Sequence, residues 1–560
     1  MMRGAPERAR RALIFTNFSK FFCVAFTFCA RCVRIQGMKQ SAHIRRRLGS
    51  GVQIVLVGAL TGALVGVLVS LYAALAAAAE DFARGYYRFF LDHPAFVPLL
   101  FLALALGAIV VGGVVRFLPL IRGSGIPQTE GAMRGLMRFH WYRELTGMFA
   151  VSLFTIFMGL SAGGEGPSIL IGGALGHGAS DLLRRNALIR RYQITGGACA
   201  GLAVAFNAPL TGMAFAFEEG QKRFTPEVFF CAVSAVVVAV LMRMLLAVPL
   251  GLPVGAYFST FVFSDFTPVF YAYVLGAALL TALLGVGTYY LIFLARRLFK
   301  KLKFWKGTGK FLFPFLFAGA AGLISLYAIG GGHAFISDLG SASEASISVF
   351  SSPLWASLLI VVALKLVATV LNMGAGVPCG AFVPMLAIGA GLGALLSLLA
   401  QTMGMDPAYT DMLIVICMAT YFTAIAKAPV TGIVMTVELT WNFMFLLPAV
   451  MGVAAGYLVG DIFHTKPVYE RLLDEMLEEE DKPMLFAARF FVNGTGMAAG
   501  RRIRDVLWPA DVRITRIERG EERILPDGNT LILEGDILTA EGEEAESRAV
   551  LAEIIGAEVP

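Results

Sequence analysis

Charge is scarce in this chain: Asp, Glu, Lys and Arg make up 15% of its 560 residues, against roughly a quarter in an ordinary soluble domain. That shortage excludes a disordered chain or a nucleic-acid-binding protein, both of which need dense charge. It also excludes an ordinary soluble enzyme. Histidine is rare, with six residues scattered at 43, 93, 140, 177, 333 and 464, and no zinc constellation emerges from them. The seven cysteines are an odd number, four of them in apolar sequence, which does not make a disulfide framework. Cys29 and Cys32 lack the second pair or histidine partners of a metal site. What is abundant instead is AVILMFWYC, at 57%, with 44 Phe and 61 Gly and a mean hydropathy of +0.73. Glycine this frequent inside apolar sequence suits membrane helices that pack backbone against backbone. The composition is that of a polytopic membrane protein.

The charge that is present sits at the ends. Residues 1–50 hold 11 Lys/Arg against one Glu, and residues 471–560 hold 11 basic against 20 acidic side chains. The formal +7 therefore hides a basic head, an acidic tail and a sparsely charged middle, and points to no nucleic-acid partner. A basic start ahead of the first apolar run predicts a cytoplasmic N-terminus. Residues 1–49 read as a basic arm, disordered or lying ahead of the true start, since Met38 stands just before Lys39 and the Arg45–Arg47 triplet. Its apolar run, Phe21–Ala30, is too short to span and lacks the cleavage site of a signal peptide.

Candidate spans of mostly apolar residues are Val52–Ala79, Phe96–Leu118, Leu145–Leu160, Val228–Val248, Val269–Phe293, Gly309–Tyr327, Trp355–Val370 and Leu446–Ile462. Shorter apolar pieces broken by Gly and Pro lie between them: Pro167–Gly176, Thr195–Phe217, Pro384–Ala400, Met412–Ile425 and Pro429–Val437. Broken helices are tolerated in a membrane only where protein or a watery cavity satisfies the freed backbone, and they point to a transporter's binding site. The two halves echo each other. Residues 207–218, NAPLTGMAFAFE, match 427–438, KAPVTGIVMTVE; residues 167–176 match 384–393 at nearly the same separation. An ancestral duplication follows, although the echo does not say whether the copies are parallel or inverted. Leu472–Asp481 reads as a charged linker, and residues 483–560 as a β-rich domain that folds apart from the membrane portion. Strands are predicted at Val512–Ile517, Thr530–Leu533 and Ile537–Ala540, with a turn at Pro526–Asn529 and a helix at Glu543–Ile555.

Three glycine- and proline-bounded segments carry the chemistry: Gly123-Ser124-Gly125-Ile126-Pro127, Gly163-Gly164-Glu165-Gly166-Pro167 and Gly380-Ala381-Phe382-Val383-Pro384. Each places a proline where a helix can begin. Helix N-termini present unpaired N–H groups and a positive dipole end, so several together bind an anion with little fixed charge. Packing glycines at kinks are the alternative for any one segment. Glu165 is isolated in uncharged sequence, where a carboxylate is costly unless it meets water or a partner. Its charge can fill a site made of N–H groups and vacate it on protonation. Glu218 and Glu219 end an apolar run, and adjacent carboxylates on a helix do different jobs. Tyr469 reads, on its own, more as an interface anchor than as a donor to an ion.

Together these segments resemble the CLC family of chloride channels and proton-coupled chloride exchangers, over roughly residues 50–470. The resemblance makes Ser124, Tyr469 and the backbone N–H groups of Ala381 and Phe382 the chloride contacts, within anion motifs built on Gly123, Gly125, Ile126, Pro127, Gly164, Gly166, Pro167, Gly380 and Pro384. It makes Glu165 the external gate and proton carrier and Glu219 the inner proton site, and it reverses the anchor reading of Tyr469. It further implies an all-α inverted repeat and a homodimer. Gly164 departs from the family pattern, which usually has a basic residue there. The tail resembles the TrkA-C (RCK C-terminal) domain, a regulatory module, here with a possible small ligand that the sequence does not identify.

The expected protein is a multi-pass cell-membrane H⁺/Cl⁻ antiporter with both termini cytoplasmic. Its parts are the arm, a membrane domain over 50–470, a linker over 471–482 and a regulatory domain over 483–560. Its partners are chloride and protons, with no enzymatic activity, metal or organic cofactor. A passive voltage- or pH-gated chloride channel and a transport-inactive ligand-sensing module are the alternatives.

Overall fold

An apolar segment in lipid must close its own backbone hydrogen bonds, and a helix is the solution open to a single segment. In the computed structural model the described residues are 42–556, apart from 138–139, 186, 223–224, 302–307, 341–346, 478–485, 495, 510, 521 and 543–544. Phe21–Ala30 and Met38 lie outside them. The first half forms helices α1 (Ala42–Asp92), α2 (Val97–Phe117), α3 (Ile126–Arg134), α4 (Trp141–Phe157), α5 (Glu165–Leu182), α6 (Ala187–Phe206), α7 (Pro209–Phe215) and α8 (Pro226–Leu250). The second forms α9 (Phe270–Lys301), α10 (Leu312–Ile324), α11 (His333–Gly340), α12 (Leu354–Ala375), α13 (Phe382–Thr402), α14 (Thr410–Ala426), α15 (Pro429–Thr440), α16 (Leu446–Ile462) and α17 (Val468–Leu477).

Seven helical segments among the described residues are long and apolar enough to cross a membrane. Two of them contain runs that the sequence reading shortened. Pro384–Ala400 lies within the 21 residues of α13, and Met412–Ile425 lies within α14. The reason is positional: Pro384 falls in the first turn of α13, where a missing N–H breaks nothing. Pro209–Phe215 and Pro429–Thr440 do stay short.

The sequence echo is realised as a reciprocal clamp. The Glu218 carboxylate accepts the N–H groups of Val430 and Thr431 at 2.8 and 2.6 Å, at the start of α15. Its echo, Glu438, accepts those of Leu210 and Thr211, both at 2.7 Å, at the start of α7. Each helix end therefore caps the beginning of the other, so α7 and α15 lie antiparallel and are related by a local two-fold axis across them. Asn207 and Lys427, at matching places in the echo, both hold left-handed backbone, with φ of 53° and 57°. The two copies thus present these helices to each other head to tail.

The tail builds a four-stranded antiparallel sheet from β1 (Phe486–Phe491), β2 (Arg513–Arg519), β3 (Glu522–Ile524) and β4 (Ile537–Gly542), in the order β1-β4-β2-β3. Helix α18 (Ala545–Ile555) follows. Thr530–Leu533 is not a strand: Leu531 makes one isolated bridge with Arg502, and the backbone around it bonds to residues 500–503 instead of the sheet, the Ile532 N–H donating to the Arg501 carbonyl at 2.9 Å. Residues 471–477, read as linker, instead continue α17, burying Leu472 and Leu473. The tail also does not stand apart. Val506, Leu507 and Trp508 share one apolar cluster with Leu188 and Tyr192 of α6 and Val228 and Cys231 of α8. Arg501 pairs with Glu227 at 2.6 Å, and Arg191 donates to the Leu507 carbonyl at 3.0 Å.

Candidate functional site

Helices α3, α5 and α13 begin at Ile126, Glu165 and Phe382, and the residue before each start makes no side-chain cap. Apart from the long bond of Ile126 to the Ser124 hydroxyl, their first-turn N–H groups remain available. The loops ahead of them are tied directly to one another. Gly163 and Gly380 exchange N–H···O bonds of 2.8 and 2.9 Å. The Gly123 N–H donates to the Gly376 carbonyl at 3.2 Å, and the Cys379 N–H to the Gly123 carbonyl at 3.3 Å. This convergence needs bare backbone. A Cβ on Gly166 would stand 2.5 Å from the Ser124 carbonyl oxygen, and one on Gly380 would stand 2.5 Å from that of Gly163. Gly123 and Gly125 hold φ of 87° and 85°, which turns the chain around Ser124 at little steric cost.

Ser124 and Tyr469 are both buried beside this junction. The Ser124 hydroxyl accepts a long bond of 3.4 Å from the Ile126 N–H, which leaves its proton free to donate. Helix α17 packs on α3 and carries Tyr469, whose hydroxyl is buried with no hydrogen-bond partner among the described residues. A phenol in that state is a donor awaiting an acceptor. Glu165 is buried at the first position of α5, and its Oε2 also lacks a partner. Ala381 and Phe382 are buried at the start of α13. The loops ahead of the three helices therefore meet, with Ser124, Ala381, Phe382 and the Glu165 carboxyl buried where they do. Neutral N–H and O–H donors are groups that can hold a dehydrated anion without the deep trap a fixed cation would create.

At the other end of α3, on the order of 12 Å away by helix rise, lies Glu219 in a π-helical turn, Ala216–Gly220. It is buried with an unpartnered Oε2. Arg134 reaches the backbone carbonyls of Glu219 and Gly220 at 3.3 and 3.2 Å while pairing with the Glu130 carboxylate.

Comparison with known proteins bears directly on this arrangement. A family profile described as "Voltage gated chloride channel" matches residues 106–461, and one for the TrkA-C domain matches 488–555. The chain belongs to the CLC chloride-transport family. The "H(+)/Cl(-) exchange transporter ClcA" of Vibrio cholerae is 31% identical over 386 residues, covering 66% of this chain and 79% of that protein. The same-named protein of Yersinia pestis is 30% identical over 402 residues, covering 69% and 79%. Among solved structures, a slow cyanobacterial Cl⁻/H⁺ antiporter superposes with a TM-score of 0.69 at 23% identity, covering 76% of this chain and 98% of that one. A CLC-type fluoride/proton antiporter superposes at 0.59 with 20% identity, covering 75% and 98%.

Of the two adjacent acids read from the sequence, Glu218 belongs to the clamp, as its echo at Glu438 foreshadows. Other residues of this CLC protein escaped the sequence reading. Glu130 is 1% exposed and pairs with Arg134; Lys365 is fully buried, a lone charge in apolar sequence, the usual mark of a functional or structural group within a membrane. His333 carried no local signal at all. It joins the site only through the fold, its Nε2 lying 3.4 Å from Glu165 Oε1.

Proposed function

We propose that the chain is a proton-coupled chloride antiporter in which chloride occupies the junction of α3, α5 and α13. The observation that carries this is the meeting of three uncapped helix starts with Ser124, Tyr469 and an enclosed carboxylate, Glu165. Chloride accepts from the Ser124 and Tyr469 hydroxyls and from the N–H groups of Ala381 and Phe382. Glu165 competes for the same positive end of α5. Ionised, it fills the anion path; protonated, it no longer needs the N–H groups and swings clear. Glu219 exchanges protons with the cytoplasm at the far end of α3. No bond of the anion is made or broken, so the activity is transport and not enzymatic catalysis.

The acidic tail lies on the cytoplasmic side with the N-terminus, and modulates transport. Two copies form a homodimer, each with its own pore. Exchange is favoured over passive conduction by Glu219, a buried carboxylate whose charge is not spent on Arg134. The deciding experiment uses the full chain in liposomes under separate chloride and proton gradients. A zero-current voltage that responds to both gradients is expected. A voltage that follows chloride alone identifies a passive channel.

A further inference from the structure

His333 stands at the first position of α11, and its ring is held from several sides. Nε2 lies 3.4 Å from Glu165 Oε1 and 3.4 Å from the Tyr257 hydroxyl, and the ring packs 5.0 Å from that of Tyr257. The loop before it is anchored by two buried charges. Lys365 Nζ donates to the Gly330 carbonyl at 3.0 Å, and Glu80 Oε2 accepts the Gly331 N–H at 3.4 Å while Glu80 pairs with Arg84. The titratable and charged groups facing His333 are therefore Glu165 and Tyr257 in direct contact, with Glu80, Lys365 and Arg84 behind the glycine loop. A cavity of about 60 Å³ touches Glu165, Tyr72, Tyr257, Glu80 and His333 together, enough space for water.

The two partners differ in access. The His333 side chain is 28% exposed and that of Glu165 only 5%. A proton from solution therefore meets the imidazole before it meets the carboxylate. Nothing else basic adjoins Glu165 in sequence, since Gly163, Gly164 and Gly166 surround it. Among side chains, imidazole is the one whose ordinary titration falls near neutrality, so it can both take and release a proton there.

We propose that His333 is the outer proton relay of the gate, passing protons between the external solution and Glu165. In the inward step the imidazolium gives its Nε2 proton to Glu165 Oε1. The N–H bond breaks with its electron pair left on nitrogen, and an O–H bond forms on the carboxyl. The neutral acid releases the N–H groups of α5 to chloride, and the neutral imidazole takes its next proton from external water. The outward step is the reverse.

This inference rests on the exchange reading, and one experiment separates the two. Proton uptake and chloride flux are measured in liposomes for wild type, His333→Gln and His333→Ala, with outer pH varied from about 5 to about 8. Without the relay, uptake near neutral outer pH falls at least about tenfold. The deficit shrinks toward acid, where hydronium reaches Glu165 directly, and external imidazole restores uptake by the Ala variant. A merely structural role predicts the same deficit at every pH and no rescue, which overturns the proposal. So does a His333→Gln profile that superposes on wild type. If wild type moves chloride without protons, exchange itself fails. The His333 assignment is then decided by the outer-pH dependence of chloride flux, and an unchanged dependence in His333→Gln refutes it.

Discussion

Replacing Glu218 and Glu438 by Gln tests whether the adjacent acids Glu218 and Glu219 divide structural and transport work between them. Glu438 accepts three bonds of 2.7 Å, from the Leu210 and Thr211 N–H groups and the Thr211 hydroxyl. Glu218 accepts two, from Val430 and Thr431. A glutamine keeps one acceptor oxygen and turns an NH₂ toward the second N–H group, so each substitution loses at least one charge-assisted bond. Such bonds are worth about 1.5–3 kcal/mol. Both carboxylates are only part-buried, so solvent screening reduces the expected cost to about 1–2 kcal/mol each.

The melting temperature in detergent should therefore drop by about 1–2 °C for either variant. The double variant should fall short of additivity by about 0.5 kcal/mol or more, because both clamps hold the same helix pair. Coupled proton uptake should survive in Glu218→Gln and be lost in Glu219→Gln. The melt is followed by fluorescence-detected size exclusion, and the coupling by proton uptake in liposomes. A Glu218→Gln protein that melts like wild type yet takes up no protons would refute the division of labour.

Three further outcomes are expected. Glu165→Gln should abolish proton movement and leave chloride flux insensitive to outer pH, whereas Glu219→Gln should lose protons but keep that sensitivity; paired liposome assays distinguish them. Gly380→Ala would drive its methyl group to 2.5 Å from the Gly163 oxygen and 3.1 Å from the Gly166 nitrogen, so bromide occupancy by anomalous diffraction should fall about tenfold or more, a cost of about 1.4 kcal/mol or more. Truncation after Met476 keeps Tyr469 on α17 but uncovers Leu188, Tyr192, Val228 and Cys231. Chloride flux should persist in liposomes while the detergent melt falls and aggregation rises, and complete loss of flux from dimeric, folded protein would overturn a modulatory role for the tail.

How much was legible in the sequence depends on whether a feature is local. Gly and Pro in the first turns of α3, α5 and α13 announce helix starts because their backbone effects act within a few residues. Binary hydropathy located most spans for the same reason. The clamp was half legible: the echo at 218 and 438 was plain, but that each carboxylate serves the other copy's helix is a fact of packing. His333 was not legible, since 168 residues separate it from Glu165 and no periodicity joins them. The tail failed differently. Thr530–Leu533 has the β-branched and apolar texture of a strand, yet its backbone is spent on residues 500–503: the Thr530 and Ile532 carbonyls accept the Ile503 and Gly500 N–H groups, and the Ile532 N–H donates to the Arg501 carbonyl. Tertiary context decides such short segments.

The carboxylates of the membrane portion divide by what they meet. Glu80 meets Arg84, Glu130 meets Arg134, Glu475 meets Arg296 at 2.9 Å, and the exposed Asp461 meets Lys427 at 3.2 Å. Glu218 and Glu438 are held by backbone N–H groups instead, each at the start of the other copy's helix. Glu165 and Glu219 differ from all of these. The group beside Glu165 is the His333 imidazole, and Arg134 addresses the carbonyl of Glu219 while its guanidinium pairs with Glu130. Glu165 and Glu219 each keep a buried carboxylate oxygen with no hydrogen-bond partner among the described residues, so the acids that hold the fold are tied down, and the two that the exchange reading needs, one at each end of α3, are not.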